Sequence, residues 1–432
     1  MVVIGAGVCG ASTALELARA GRRVLVVDRA AGPGLGSTSA SSAIVRYSYS
    51  TEAGVALAWE SRFRWESWAE HLGYDDPQGM AHLVRCGMAF LDSDQFPRAR
   101  MVPLLRSAGV PVEEWDAAEL VRRVPGIDPG RYGPPVPVDS EEFFAPATGE
   151  LGAVFTPDAG YVNDAQLAAA NLCRAAEHHG ARFRFRATVE AVGHERGQPG
   201  GPWELRLADG ERVVAPVVVN AAGPWSSRVN ALAGVGADFT VTFRALRQEV
   251  HRVELPAGLR GLPGGVPVLA DLDLGIYTRP DSGDGLLVGG TEPECDPLEW
   301  GDDPDLADPL PSVARHEAHV LRAARRFPEL AVPSRPRGIA GVYDVASDWA
   351  PVYDRTDRDG FYVAMGTSGN QFKNAPVIGE VMATLVEAVE DRNADHDVRP
   401  VVLRLSRSGL DLDLGAFSRR RPPSASAGNV FG

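Results

Sequence analysis

Near the start of the chain stands Val2-Val3-Ile4-Gly5-Ala6-Gly7-Val8-Cys9-Gly10, then a helical stretch, then Val24-Leu25-Val26-Val27-Asp28. The order is strand, Gly-x-Gly-x-x-Gly turn, helix, strand, acid. Each part has a mechanical job. Gly5 turns the chain sharply off the strand. Gly7 lets a pyrophosphate approach bare backbone, and Gly10 lets the helix pack close to the sheet. The helix N-terminus offers unpaired N–H groups and a positive dipole end to phosphates. Asp28, 18 residues beyond Gly10, stands where a carboxylate accepts hydrogen bonds from ribose hydroxyls. A glycine triplet alone is a weak signal. Flanked as it is here, it reads as a dinucleotide site on a β-α-β unit.

At 432 residues the chain exceeds one compact core, which predicts two domains. A net charge of −14 argues against a nucleic-acid partner. No apolar run is long enough to span a bilayer. Cys9, Cys86, Cys173 and Cys295 form no Cys-x-x-Cys pair, so they read as reduced thiols and not as a disulfide frame or a metal site. The nine histidines show no ligand spacing either, so no metal is expected. No signal peptide is read before a strand that starts at residue 2, and the expectation is a cytoplasmic protein.

Lysine and arginine total 43, yet the only lysine is Lys373. Coding bias towards arginine explains most of that skew. It does not explain the exception. A lysine ammonium, unlike a guanidinium, loses its proton when buried. Lys373 ends the glycine-rich segment Met365-Gly366-Thr367-Ser368-Gly369-Asn370-Gln371-Phe372-Lys373, between a strand and a helix.

Between these two turns the pattern is mixed. Residues 34–43 are small and read as a loop over the cofactor. Residues 52–71 read as one helix whose Trp59, Phe63, Trp65 and Trp68 belong to the core. Asp209-Gly210 marks a hairpin. Val217–Trp225 is a buried strand running into a small-residue turn. Residues 235–300 alternate in strand fashion and suggest an antiparallel sheet. Residues 292–311 read as a solvated acidic loop. The tail, Arg419-Arg420-Arg421 followed by Pro422-Pro423-Ser424-Ala425-Ser426, reads as flexible or draped. The fold class is α/β (α+β, two domains). A Rossmann-like nucleotide domain (1–79, 151–229, 336–432) accompanies a substrate domain on a mostly antiparallel sheet (80–150, 230–335).

Three remote small-residue turns (34–43, 221–225, 366–373) suit an extended cofactor, FAD, better than a nicotinamide. The chain also resembles the D-amino-acid oxidase superfamily, and more closely its glycine oxidase and sarcosine oxidase branch. The likeness rests on Val2–Gly10 with Asp28-Arg29, on the Ser-rich loop ending Ile44-Val45-Arg46, on Gly160-Tyr161-Val162, on Val219–Trp225 and on Gly366–Lys373. It implies oxidation of a C–N bond in an amino acid or N-alkyl amino acid. Hydride passes to flavin N5, and the imine then hydrolyses. It also implies that Arg46 and Lys373 hold the substrate carboxylate and that Tyr277 closes the pocket. To FAD it assigns Gly5, Gly7, Gly10, Asp28, Arg29, Ser41, Ser42, Ala43, Val189, Ala221, Ala222, Gly223, Trp225, Gly341, Gly366, Gly369, Asn370, Gln371, Phe372 and Lys373.

Two departures shape the expectation. Gly341 stands where covalent sarcosine oxidases carry a cysteine, and the Ser-rich loop has no histidine, so FAD is expected to be non-covalent. Leu287 stands where monomeric sarcosine oxidase carries a lysine that assists reaction with oxygen, and Thr291 replaces a nearby histidine. Oxygen, a quinone and an electron-transfer protein all remain open as acceptor. A flavoprotein that oxidises 2-hydroxy acids with a similar carboxylate clamp is the further alternative.

Overall fold

The computed structural model describes residues 1–198 and 200–423. A six-stranded sheet runs in the order Val352–Arg355, Phe361–Met365, Val218–Asn220, Val2–Ile4, Leu25–Val27, Arg182–Arg184. All neighbours are parallel except the edge strand Val352–Arg355. The central strands are apolar apart from the buried Asn220, because both faces are covered. Val3, Val26 and Val219 face the helices Val8–Arg19, Ala165–His178 and Ala375–Glu390. Val2, Ile4 and Val218 face the three-stranded antiparallel sheet Val189–His194, Trp203–Leu207 and Arg212–Ala215. The expected hairpin at Asp209-Gly210 joins its last two strands, with Gly210 at φ 85°.

The second sheet has nine strands. Its longest strand, Phe243–Glu254, lies near one end and pairs with Gly285–Gly290, Glu299–Gly301 and Gly338–Ala346. Ile276–Asp281, Val268–Asp271, Met88–Leu91, Ala153–Thr156 and Glu113–Trp115 extend it. Every pairing is antiparallel except Met88–Leu91 with Val268–Asp271. The helix Val313–Arg326 packs on it. The boundaries expected at 151 and 336 fall on the wrong side of two strands. Ala153–Thr156 takes its backbone hydrogen bonds from Met88–Leu91, and Gly338–Ala346 pairs with residues 243–251, so both belong to the second sheet. A small sheet of Ile44–Val45, Gly160–Val162 and Leu83–Arg85 links early and middle segments.

The helix expected over 52–71 breaks at Ser67 into Glu52–Glu66 and Trp68–Leu72. The break lets Trp65 and Trp68 stack at 4.3 Å between ring centroids. Trp59, Trp65 and Trp68 are buried, as a core reading requires.

The arginine triplet is not a loose tail. Arg419 is fully buried and pairs with Asp397 (2.8 Å), Asp238 (2.7 Å) and Asp354 (3.2 Å). Arg421 pairs with Asp348 at 2.9 Å. The sequence signal misled because three consecutive arginines look solvated until their acids, remote in sequence, are folded around them. Ser424, Ala425 and Ser426 lie outside the described residues. Removing one partner of a buried ion pair leaves the other uncompensated, so Arg419→Met is expected to destabilise the fold by about 3–5 kcal/mol. Urea unfolding checks this, and a midpoint matching that of the parent would contradict it.

Candidate cofactor and active site

Glycine geometry builds the first half of the site. Gly5 adopts φ +106°, and a Cβ there would lie 2.4 Å from the Ala221 carbonyl oxygen. A Cβ on Gly10 would lie 2.0 Å from the Gly5 carbonyl oxygen. Only glycine lets the helix Val8–Arg19 start this close to the sheet. Gly7 is its N-cap and offers no side-chain acceptor. The Val8 N–H donates to Thr38 Oγ1 at 3.3 Å. The Asp28 carboxylate is oriented by the N–H groups of Ala6 (2.6 Å) and Ala30 (2.7 Å). Each of its oxygens keeps a lone pair for a ribose hydroxyl.

A long cleft follows from this turn. Gly5, Gly7, Asp28 and Arg29 line it from the first unit. Ser41, Val189, Ala221, Ala222, Gly223 and Trp225 form its walls, and Gly369, Gln371 and Phe372 line it from the second glycine turn. The other expected cofactor positions stand behind the lining. Gly10 and Gly366 make close packing possible; a Cβ on Gly366 would meet the Phe243 ring at 2.6 Å. A Cβ on Gly341 would meet Ala40 at 2.7 Å. Ser42 hydrogen-bonds Tyr277, Ala43 is buried at φ 51°, and Asn370 is buried beneath its turn. Ser37, Thr38, Cys9, Tyr343, Asp344 and Thr367 also line the cleft and were not singled out from sequence. The small-residue run 34–43 already held the signal for Ser37 and Thr38. Bare glycine backbone at the helix start, a preset ribose acceptor and a continuous path between the two glycine turns fit FAD.

The acidic loop is more than solvated surface. Its Asp305 accepts from Trp225 Nε1 at 2.9 Å and pairs with Arg29, whose guanidinium stacks on Trp225 at 4.5 Å. Arg228 pairs with Asp303 at 2.8 Å. The hydrogen bonds from Arg29 hold the Asp305 carboxyl down to about 2. This exposed clasp adds little stability, but it ties the second sheet's loop to the rim of the cleft.

Beyond the lining lies a buried cationic pair. Lys373 Nζ donates to the Asn370 carbonyl at 2.6 Å and to the Tyr49 hydroxyl at 3.2 Å. The Arg46 guanidinium lies 4.7 Å from the centroid of that same Tyr49 ring. Trp65 Nε1 donates to the Lys373 carbonyl at 2.7 Å and fixes the turn. Burial first, and Arg46 second, hold the Lys373 ammonium well below the usual lysine range. A guanidinium and an amine thus share one buried pocket around the Tyr49 ring. Tyr277 is a neighbour of a different kind. Its hydroxyl bonds Ser42 Oγ at 2.7 Å, and burial pushes it up to about 12. Glu292, at φ 55°, interacts electrostatically with Arg46, Tyr277 and Tyr343. Sequence reading missed Tyr49 and Glu292, which carry no motif of their own.

Fold and cleft together define a flavin-nucleotide oxidoreductase. The family model described as FAD dependent oxidoreductase matches residues 1–385, and the chain belongs to that family: it is an FAD-binding enzyme. It is similar to glycine oxidase of Geobacillus kaustophilus, with 24% identity over 404 residues covering 90% of this chain and 93% of the relative. The crystal structure of that glycine oxidase superposes with a TM-score of 0.70 at 25% identity, covering 89% of this chain and 94% of the other. The structure of L-proline dehydrogenase from P. horikoshii shares the fold with a TM-score of 0.74 at 21% identity, covering 97% and 96% of the two chains. No helix among the described residues is long and apolar enough to cross a membrane, and none of their His, Cys, Asp and Glu side chains form a metal-binding group.

Proposed function

We propose that this enzyme oxidises the C–N bond of an amino acid or N-alkyl amino acid. The observation that carries this reading is the buried pair Arg46 and Lys373 around Tyr49. A planar guanidinium donates two parallel hydrogen bonds to a carboxylate, and the ammonium adds a point charge in a dry pocket. Fixing the carboxylate fixes the α-carbon, so binding energy becomes orientation. Tyr277 closes the pocket beside Ser42. Bound FAD supplies the electron acceptor for the C–H bond that breaks. Non-covalent attachment suits Gly341, which carries no nucleophile. Of these substrate groups only Tyr277 stands on the nine-stranded sheet; Arg46 follows the strand Ile44–Val45, and Lys373 follows the last parallel strand of the six-stranded sheet.

A dehydrogenase version, passing electrons to a quinone or protein, is supported by Leu287. That residue puts an apolar side chain opposite Arg279 in the strand pairing, where it offers no charge to stabilise superoxide. Likeness to glycine oxidase on one side and L-proline dehydrogenase on the other supports the C–N reading and leaves the acceptor to experiment.

The test is anaerobic. Amino, N-alkyl amino and 2-hydroxy acids are added to the purified yellow enzyme, and the flavin absorbance is followed. Bleaching by amino acids is the expected outcome; bleaching by 2-hydroxy acids alone would overturn it. Readmitting air then separates the acceptors, since prompt return of colour with peroxide marks an oxidase.

A further inference from the structure

Asp344 is a carboxyl group with no assigned task. It sits near the end of Gly338–Ala346, 4% exposed, and lines the cofactor cleft. One oxygen, Oδ1, accepts from the Thr367 hydroxyl. The other, Oδ2, is buried and has no hydrogen-bond partner. An orphaned buried acceptor is costly to keep, so a retained one points to a partner that arrives with a ligand.

The neighbours say which ligand atoms these are. Cys9, in the first turn of the phosphate-binding helix, feels the Asp344 carboxyl electrostatically. Thr367 opens the second glycine turn, and the Ser368 N–H donates to the Asp344 carbonyl at 2.9 Å. Asp344 therefore stands where the two glycine turns of the cleft converge. The helix start is the place for the pyrophosphate. A carboxylate against a diphosphate would repel it. Between the diphosphate and the ring of FAD, the cofactor carries a chain of hydroxyl groups, and these are hydrogen-bond donors. Burial also favours a carboxyl group whose hydrogen-bonding needs are met by neutral partners, in keeping with its raised pKa.

We propose that Asp344 holds the polyol chain of FAD by accepting a hydroxyl hydrogen bond on Oδ2. It is thus a cofactor-positioning residue that ties the ring half of FAD to the second glycine turn through Thr367. The inference is independent of the substrate and of the electron acceptor.

The experiment compares Asp344→Ala and Asp344→Asn with the parent holoenzyme. Dissociation of FAD is read from recovery of flavin fluorescence on dilution. ADP, which carries the diphosphate and adenosine but no polyol, is used as the competing probe. The alanine variant is expected to release FAD about ten- to a hundredfold more readily, with the ADP inhibition constant unchanged. The asparagine variant, whose amide oxygen still accepts, is expected to fall between the two. FAD affinity within about twofold of the parent in both variants would sink the proposal. So would a parallel loss of ADP affinity, which would mark a purely structural role. Should the alanine variant fail to fold, the same two constants for the asparagine variant decide: a weakening selective for FAD supports the assignment, and any other result overturns it.

Discussion

Lys373→Met should raise the KM for the amino-acid substrate about a hundredfold while the enzyme stays yellow. A hydrogen bond to a charged group contributes about 1.5–3 kcal/mol, and the larger figure corresponds to roughly that factor. FAD should remain because Lys373 stands behind the cleft lining and touches Asn370 and Tyr49 instead. The sign of the pH dependence follows from the depressed lysine pKa. A carboxylate needs the ammonium form. In the free enzyme that form is lost as pH rises through a value below the usual lysine range, so KM should climb with pH there. The methionine variant should show no such climb. Folding linkage runs the other way. A cation whose pKa is lower in the fold than in the unfolded chain penalises the fold below its folded pKa, and the penalty fades as pH rises towards the unfolded value. Removing the amine removes that penalty, so the melting temperature should hold or rise. A variant with unchanged KM would take Lys373 out of the substrate site, and steady-state kinetics across pH decides the matter.

The second large effect is expected at Gly10→Ala. The added Cβ would press on the Gly5 carbonyl oxygen from 2.0 Å. The oxygen is backbone and the Cβ position is fixed by backbone, so neither can rotate away and the helix must shift off the sheet. Overpacking of this kind costs about 1–3 kcal/mol, often more against backbone. If that helix start seats the diphosphate of FAD, as its bare glycine backbone suits, flavin per purified chain should fall at least about tenfold. Gly21→Ala is the control. It sits at φ +77° with nothing within 4 Å, so it should cost about 1 kcal/mol of stability and leave the flavin content intact. Equal flavin content in all three proteins would contradict the assignment of Gly10.

Legibility differed along the chain for physical reasons. The first β-α-β unit was readable because its constraints are local: Gly5, Gly7 and Gly10 act within one turn, and Asp28 is fixed by Ala6 and Ala30. Helix Ala375–Glu390 was readable from its unbroken apolar period. The membership of Ala153–Thr156 and Gly338–Ala346 was not, because strand pairing is set by partners far away. Glu292–Pro311 looked like solvent-facing acid because Arg29, Trp225 and Arg228 reach it only in three dimensions. Lys373 stood out by composition, and Arg46 came from the resemblance; Tyr49, which brings the two cations together, gave no signal because nothing local distinguishes it from a core tyrosine.

The placement of Arg419 bears on how the protein comes into being. Translation delivers this residue after nearly all of its acidic partners' neighbourhoods have been synthesised. Until then Asp354, on the edge strand of the nucleotide sheet, shares its surroundings with Asp397 and lacks the guanidinium that later joins them. A nascent chain halted before that point would leave the buried Asp354 and the partly buried side chain of Asp397 without the guanidinium between them. Premature products should thus stay open to proteases, and only a polypeptide read through to its arginine triplet can seal that edge.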